Sequence, residues 1–513
     1  MAYPYPSVRR LLDMPKARED RACLISASGR LSFAEVREQM LRVAGWLSRS
    51  GVAAGDGVAI CLPKTFESVL LIYGIHAVGA AYVPLTHGAP ALRLAEALRA
   101  IRPRLLVLSR ESAAQFDAAS LRDSTPREIL EALPAGDGLR RLIDGTAPAR
   151  EIPARDGRDL AAVMLTSGST GAPKGVMRGY DSVPLRSWLA PGEIRPEERF
   201  ISTSALNYTS SHDIFLPVIG GCSIYLVSER EAMFPDRVAA MLAGERVTSW
   251  VTTATALRLL LDTGGLDGHD LRALQRVRVA GEPLRPDLLR RIMAAIPQAR
   301  FTNIYGATEA ATMLSYDVPR PFPQSMTAVP LGQPSGNFEI RLCDEAGENV
   351  GEGEVGEICA VGGPMMLGYW NDPVLTRSKQ LPGLERSYRT GDFARRGADG
   401  LIYSAGRADD MVKIRGHRFD LGEVEAALRT HPQVREAAAF ALKDGDGNTV
   451  IRAAVLVGGS HPPEAELLRL CAGRLPAFAR PSRIAQLEDF PLLSTGKVDR
   501  PALRALIENF TGR

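Results

Sequence analysis

Residues 165–176 read LTSGSTGAPKGV, an apolar strand that runs into a tract of hydroxyl and glycine residues closed by Lys174. Such a tract suits a phosphate. Gly168 and Gly171 leave backbone N–H groups open to phosphate oxygens, the hydroxyls of Thr166, Ser167, Ser169 and Thr170 can donate, and Lys174 adds a positive charge. It is not a Walker A loop, because Pro173 stands where that pattern needs its second glycine, counted from Gly168. By composition alone a bland flexible loop fits equally well.

Working outward, the hydrophobic pattern alternates between strand and helix. Upstream, GVAIC (57–61) precedes an apolar helix over 66–78, and AAYVPL (80–85) follows it, which reads as β-α-β with parallel strands. Residues 110–155 are rich in Ala, Asp, Gly and Pro and read as helical decoration and loop. From 160 to 315 the alternation returns in AAVMLTSGS, GCSIYLVSE, RVTSWVTTAT, RVRVAGEPL and RFTNIYGATE, giving a second α/β layer. Between 330 and 405, short strands punctuated by glycine (FEIRLCD, GEICAVGG, SYRTGDFARR, GLIYSAGR) fit antiparallel hairpins or a small β-barrel. Beyond Arg407 comes a compact α+β unit with the strand DMVKIRG, the helix LGEVEAALRTH, two strands and a helix near 463–475. The expected fold class is therefore α/β: a large N-terminal domain of two layers plus a small barrel over 1–408, and a small α+β domain over 409–513.

The 513 residues are too many for one hydrophobic core, and 45% hydrophobic with 24% charged is globular composition. A net charge of +3 without a basic tail or block argues against nucleic acid as a partner. No signal-peptide pattern and no apolar run of about 18 residues is present, so a soluble cytoplasmic protein is expected. The six cysteines are scattered without a C-x-x-C pair, which suggests buried thiols and no zinc site.

Six stretches in order carry a more specific message: AVGAAYVPLTHGAP (77–90), LTSGSTGAPKGV (165–176), NIYGATEA (303–310), GEICAVGGPMMLGYWNDP (356–373), YRTGDFARRGADGLIYSAGRADDMVKIRGHRFDLGEVE (388–425) and PLLSTGKVDRPAL (491–503). Together they resemble the adenylate-forming superfamily of acyl-CoA synthetases, luciferases and peptide-synthetase adenylation domains over nearly the whole chain. The resemblance implies an AMP-forming acid–thiol ligase that takes ATP and Mg²⁺. A carboxylate resists attack by a thiol, whereas its mixed anhydride with AMP carries a good leaving group, so two half-reactions share one site and no protein nucleophile is required.

The resemblance also implies roles. In NIYGATEA, Tyr305 stacks on adenine, Thr308 contacts the α-phosphate and Glu309 holds Mg²⁺, a hard cation suited to a carboxylate oxygen; read alone, Glu309 is an ordinary acid at a helix N-terminus. Gly281 and Glu282 in AGEPL face the base, and Asp392 and Arg407 take the ribose, although alone they read as surface salt-bridging groups. Asp409 marks the hinge about which the small domain rotates. Lys497, in the loop STGKVDR, bridges the carboxylate and the α-phosphate during displacement of pyrophosphate. Lys413 and Gly416 in VKIRGHR line the path of the incoming thiol.

The late motifs are worded more like adenylation domains than acyl-CoA synthetases, which favours a carrier-protein phosphopantetheine as acceptor and leaves free CoA as the alternative. The chain ends ten residues after Leu503, so a carrier acting in trans is expected. Retention of Lys497, Glu309 and Asp392 argues against an inactive scaffold. For the acid, relatives that take α-amino acids place a Phe-Asp pair six residues before an acidic-Ile-Phe triplet; here Asp213-Ile214-Phe215 is preceded by Asn207-Tyr208. In that register Tyr208, His212, Val251, Arg278, Ala280, Ile304, Thr312 and Met313 line the pocket. An acid without an α-amino group is expected, with His212 and Arg278 favouring a second polar or acidic group.

Overall fold

The computed structural model describes residues 7–89, 91–115, 128–133, 143–167, 173–182, 194–407, 411–414, 417–443, 449–458, 461–475, 479–493 and 498–508. Contacts divide the chain into two compact units, one of Met1–Arg341 with Cys359–Arg389, the other of Leu342–Ile358 with Thr390–Arg513.

The strands of the first unit are β1 (Ala22–Ser26), β2 (Gly29–Ser32), β3 (Gly57–Cys61), β4 (Ala81–Pro84), β5 (Leu105–Ser109), β6 (Glu128–Leu133), β7 (Leu160–Ser167), β8 (Pro173–Gly179), β9 (Arg199–Ser202), β10 (Ser223–Leu226), β11 (Ser249–Thr252), β12 (Arg276–Ala280), β13 (Arg300–Ala307), β14 (Ala311–Asp317) and β15 (Gln333–Pro334). Next come β16 (Phe338–Cys343), β17 (Val355–Gly362), β18 (Gly368–Tyr369), β19 (Ser387–Arg396) and β20 (Ile402–Arg407). One sheet has nine strands in the order β15-β14-β13-β12-β11-β9-β10-β1-β2, another has seven in the order β18-β8-β7-β4-β3-β5-β6. The α/β class is as the sequence implied, and β3 and β4 are parallel across the intervening helix Phe66–Ala77.

Three assignments change. Residues 128–133, read as loop or helix, form β6, a parallel edge strand on β5. The two layers also exchange strands: the β1–β2 hairpin joins the nine-stranded sheet through β1 on β10, away from β3, while β7 and β8 join the seven-stranded sheet. The segment read as hairpins or a barrel forms a four-stranded sheet of open order β16-β17-β19-β20, and closure into a barrel is not shown.

Helix Phe33–Arg49 begins at a capping box, in which Glu35 N–H donates to Ser32 Oγ at 3.2 Å and Ser32 N–H to the Glu35 carboxylate at 2.8 Å. It buries Phe33, Val36, Met40, Val43, Ala44 and Leu47, an i, i+3, i+4, i+7 stripe. Helix Phe66–Ala77 is buried on every face from Ser68 to Ala77. Their close approach needs Gly74, since a Cβ there would lie 2.2 Å from Val43 Cγ1. On the nine-stranded sheet, Trp250, Val277, Val279 and Phe301 pack into a core with the helices Pro235–Gly244, Ala254–Asp262 and Pro286–Ala295. The strand period of two then turns Val251, Arg278, Ala280 and Ile304 to the opposite face.

In the second unit, β21 (Met411–Ile414) and β22 (His417–Asp420) form a hairpin, and β23 (Val434–Lys443), β24 (Thr449–Val457) and β25 (Arg483–Leu487) form a three-stranded sheet in that order. Strand β23 alternates: Ala437 and Ala439 meet helices Leu421–Arg429 and Glu464–Ala472, while Ala438, Phe440 and Leu442 meet the terminal helix Arg500–Glu508 through Leu503 and Ile507. All six cysteines are free and buried.

Candidate functional site

Strands β7 and β8 are antiparallel, with Thr166 opposite Lys174 and Ser167 opposite Pro173, so the 168–172 tract joins two arms of a hairpin and not a strand to a helix. Thr166 and Lys174 are half-buried at its mouth. Gly168, Ser169, Thr170 and Gly171 lie outside the described residues.

NIYGATEA is also a hairpin. Tyr305 pairs with Leu314, Gly306 with Thr312 and Ala307 with Ala311, which leaves Thr308, Glu309 and Ala310 as the turn between β13 and β14. Glu309 is thus a turn residue and not the helix N-terminal acid that it resembles in isolation. A Cβ on Gly306 would stand 2.0 Å from the Ala311 carbonyl oxygen, so only glycine permits this pairing.

Strand β8 is tied to that turn by a residue not singled out in the sequence. Arg178 is 1% exposed, and its Nη1 donates to the Thr308 carbonyl at 2.7 Å while Nη2 donates to the Ser182 carbonyl. Burial pulls its pKa down to about 10, opposed by the charges of Glu309 and Asp181. On the other side, Tyr369 hydroxyl donates to Glu309 Oε1 at 2.9 Å, and Met366 N–H donates to the Glu309 carbonyl at 2.7 Å. Tyr388 is a second phenol on the same carboxylate; burial and then the Glu309 charge push both phenols above the ordinary tyrosine range. Two tyrosines inside quoted motifs, in LGYW and at the head of YRTGD, were the signal available in sequence.

Glu282 is half-buried beside the exposed Gly281, and its carboxylate accepts from Thr255 N–H at 2.9 Å, at the start of helix Ala254–Asp262. That oxygen caps the helix.

The residues expected to line the acid pocket divide into two groups. Val251 lies opposite Arg278, and Ala280 opposite Ile304, on one face of β11–β13, with Thr312 and Met313 buried on neighbouring β14. Arg278 is buried and does not extend into solvent. Tyr208 and His212 come instead from the 3-10 turn Thr209–Phe215. Tyr208, its N-cap, is 37% exposed, whereas His212 is buried with its ring edge-on to Tyr82 at 6.3 Å. Burial, then the charges of Arg178 and His76, push the His212 pKa well below the usual range, so the imidazole is neutral. Asp213 is buried too, accepts from Ser202 Oγ at 2.8 Å and faces the charge of buried Lys64.

In the second unit Asp392 is half-buried and stands opposite Arg407 in the β19–β20 register. Lys413 lies on β21 opposite Arg418. The loop before the terminal helix is anchored at its base, with Leu492 bridged to Val498 and Asp499 N–H donating to the Pro491 carbonyl at 2.7 Å. Behind it, Arg500 Nη1 donates to buried Glu425 at 2.8 Å. Lys497, Asp409 and Gly416 lie outside the described residues. Among the described residues no group of three His, Cys, Asp or Glu could hold a metal, and no helix is long and apolar enough to cross a membrane.

Two sheets carrying two hairpin tips, with a smaller α+β unit, are the architecture of an AMP-binding enzyme. The chain belongs to the AMP-binding enzyme family, whose model matches residues 13–370, with the AMP-binding enzyme C-terminal domain matching 423–497. It is 33% identical over 514 residues to the phenyloxazoline synthase MbtB of Mycobacterium tuberculosis, covering 98% of this chain and 35% of that protein. It is 30% identical over 502 residues to the dimodular nonribosomal peptide synthase of Bacillus subtilis, covering 95% of this chain and 20% of that one. The chain thus spans about a third or less of these relatives' length. The crystal structure of ATP-bound MatB from Rhodopseudomonas palustris superposes with a TM-score of 0.87 at 24% identity, covering 98% of each chain, which shows the shared fold.

Proposed function

We propose that this enzyme uses ATP to convert a small carboxylic acid into an acyl-adenylate and then transfers the acyl group to the phosphopantetheine thiol of a carrier protein. The supporting observation is the tether from β8, the strand that leaves the phosphate tract, to the turn bearing Thr308 and Glu309. It couples the two segments that a triphosphate would touch.

In this reading Thr166, Ser167, Gly168, Ser169, Thr170, Gly171 and Lys174 hold phosphates, and Tyr305 with Gly281 and Glu282 frames adenine. Asp392 and Arg407 take the ribose. Glu309 suits Mg²⁺, which binds through one or two carboxylates and substrate phosphates while keeping several waters, and one oriented carboxylate is what the turn supplies. When bound, Mg²⁺ would offset charge on the leaving pyrophosphate. Thr308 would contact the α-phosphate, and Lys497 would bridge it to the attacking carboxylate, stabilising charge that grows during displacement. Rotation about Asp409, between domains 1–408 and 409–513, would then bring Lys413 and Gly416 to the thiol path.

The acid has no α-amino group. Tyr208 supplies no carboxylate where an α-ammonium would need one, and Asp213 is already committed to Ser202 and Lys64. An unpaired buried ammonium loses several kcal/mol of hydration. Fatty, aryl or hydroxy acids are the leading types, and neutral His212 with Arg278 favours a polar or acidic substituent. Comparing kcat/KM for holo-carrier proteins with that for free CoA tests the acceptor. Preference for a carrier is expected, and a clear preference for CoA would overturn that part of the reading.

A further inference from the structure

We infer that Arg178 is a positioning residue for the Thr308–Glu309 turn and sets how strongly Mg²⁺ tightens nucleotide binding. The inference rests on the reading above, in which Thr308 meets the α-phosphate and Glu309 the metal.

Arg178 is an expensive residue to keep where it is. Its guanidinium is buried, and among the described residues no carboxylate oxygen lies within 4.0 Å of its nitrogens. Among the same residues Nε has no hydrogen-bond partner. An arginine buried without an ion pair costs several kcal/mol, which an apolar residue of similar volume would avoid. What the arginine supplies instead is a planar fork with two prongs on main-chain oxygens: Thr308 at 2.7 Å, and Ser182 just past the end of its own strand. One prong thereby fixes the turn to β8. The charge also acts through space on Glu309.

From the opposite side the Tyr369 hydroxyl holds Glu309 Oε1, and Met366 N–H holds the Glu309 carbonyl. The turn is therefore pinned at Thr308 O, Glu309 O and the Glu309 carboxylate by two separate segments, β8 and residues 366–369. Without Arg178 the carboxylate keeps Tyr369, but the peptide that carries it loses its link to β8. A lysine could reach one carbonyl but lacks the fork needed for both.

The test uses the full chain and titrates α,β-methylene-ATP by calorimetry, once with excess Mg²⁺ and once with EDTA. In the unsubstituted protein Mg²⁺ should tighten binding. Arg178→Met should reduce that gain by about tenfold or more while the EDTA affinity stays within about twofold, a split that a general loss of structure would not produce. In ATP–pyrophosphate exchange, kcat should fall with the KM for the acid unchanged. Arg178→Lys should lie between the two, and it carries the same comparison if the methionine variant does not fold. A full Mg²⁺ gain in a folded Arg178 variant that coexists with a lost gain in Glu309→Gln overturns the inference alone. An unchanged gain in Glu309→Gln overturns the metal reading, and this inference with it.

Discussion

Replacing Lys64 by methionine should destabilise the first unit severely, and the structure indicates by how much. Lys64 is 2% exposed, and its ammonium donates to the Ser202 carbonyl at 2.7 Å and the Ser204 carbonyl at 2.8 Å. Through Ser202, whose hydroxyl donates to Asp213 at 2.8 Å, it faces a carboxylate that is 3% exposed. Burial pulls the lysine pKa down and pushes the aspartate pKa up, and each charge opposes the other's shift. Methionine fills similar space but leaves two carbonyls without a charged donor, each worth about 1.5–3 kcal/mol. It also weakens the positive charge that Asp213 faces through Ser202, a relay and not a direct ion pair, so a loss of about 3 kcal/mol or more is expected, chiefly from the two carbonyls. Urea denaturation at pH 7.5 measures the loss, and a double-mutant cycle with Asp213→Asn isolates the coupling, since the asparagine removes the orphaned charge. The pH sign follows from the aspartate. A carboxyl whose folded pKa lies above its unfolded value destabilises the fold above the folded pKa, and that penalty disappears as pH falls toward the unfolded pKa. The Lys64→Met deficit should therefore shrink between pH 7.5 and about 5. A loss below about 1 kcal/mol, or an additive cycle, would refute the reasoning.

Gly306→Ala should force the β13–β14 pairing apart, because its Cβ would meet the Ala311 carbonyl oxygen at 2.0 Å; strain of about 1–3 kcal/mol and a fall in exchange activity of at least tenfold are expected by denaturation and kinetics. Tyr208→Asp should raise exchange with α-amino acids, and strong exchange by the unsubstituted enzyme with a standard α-amino acid would show the pocket misread. Lys413→Ala should slow thioester formation far more than adenylation in single-turnover assays, and equal losses would argue against two orientations sharing one site.

Much of the fold was legible because it is local. The helix after β3 announces itself through its apolar run, and the β-α-β of β3 and β4 follows from the two strand-like stretches that flank it. Pairing was not legible where it is remote. That β1 leaves β3 for β10 depends on the register of Leu24 with Ile224, two hundred residues apart. The strand β6 reads EILEAL, a composition as suited to a helix as to an edge strand, and only β5 decides it. At the site, the motif residues were visible but their surroundings were not. Glu309 looked like a helix-capping acid until Ala311 folded back on Ala307. Asp213 served in the sequence only to set the pocket register, and the structure shows the charge of Lys64, from the other sheet's connection, facing it. Arg178 lies two residues beyond the quoted tract, and its partner Thr308 is 130 residues away.

The central claim is tested most directly by ATP–pyrophosphate exchange with the full chain across fatty, aryl, hydroxy, α-amino and β-amino acids, run in parallel with Lys497→Ala. Acid-dependent exchange is expected from the unsubstituted enzyme, strongest for acids lacking an α-amino group. The variant should stay folded and lose at least about a hundredfold, since it lacks a transition-state contact worth on the order of 3 kcal/mol. Near-normal exchange by Lys497→Ala would contradict the account.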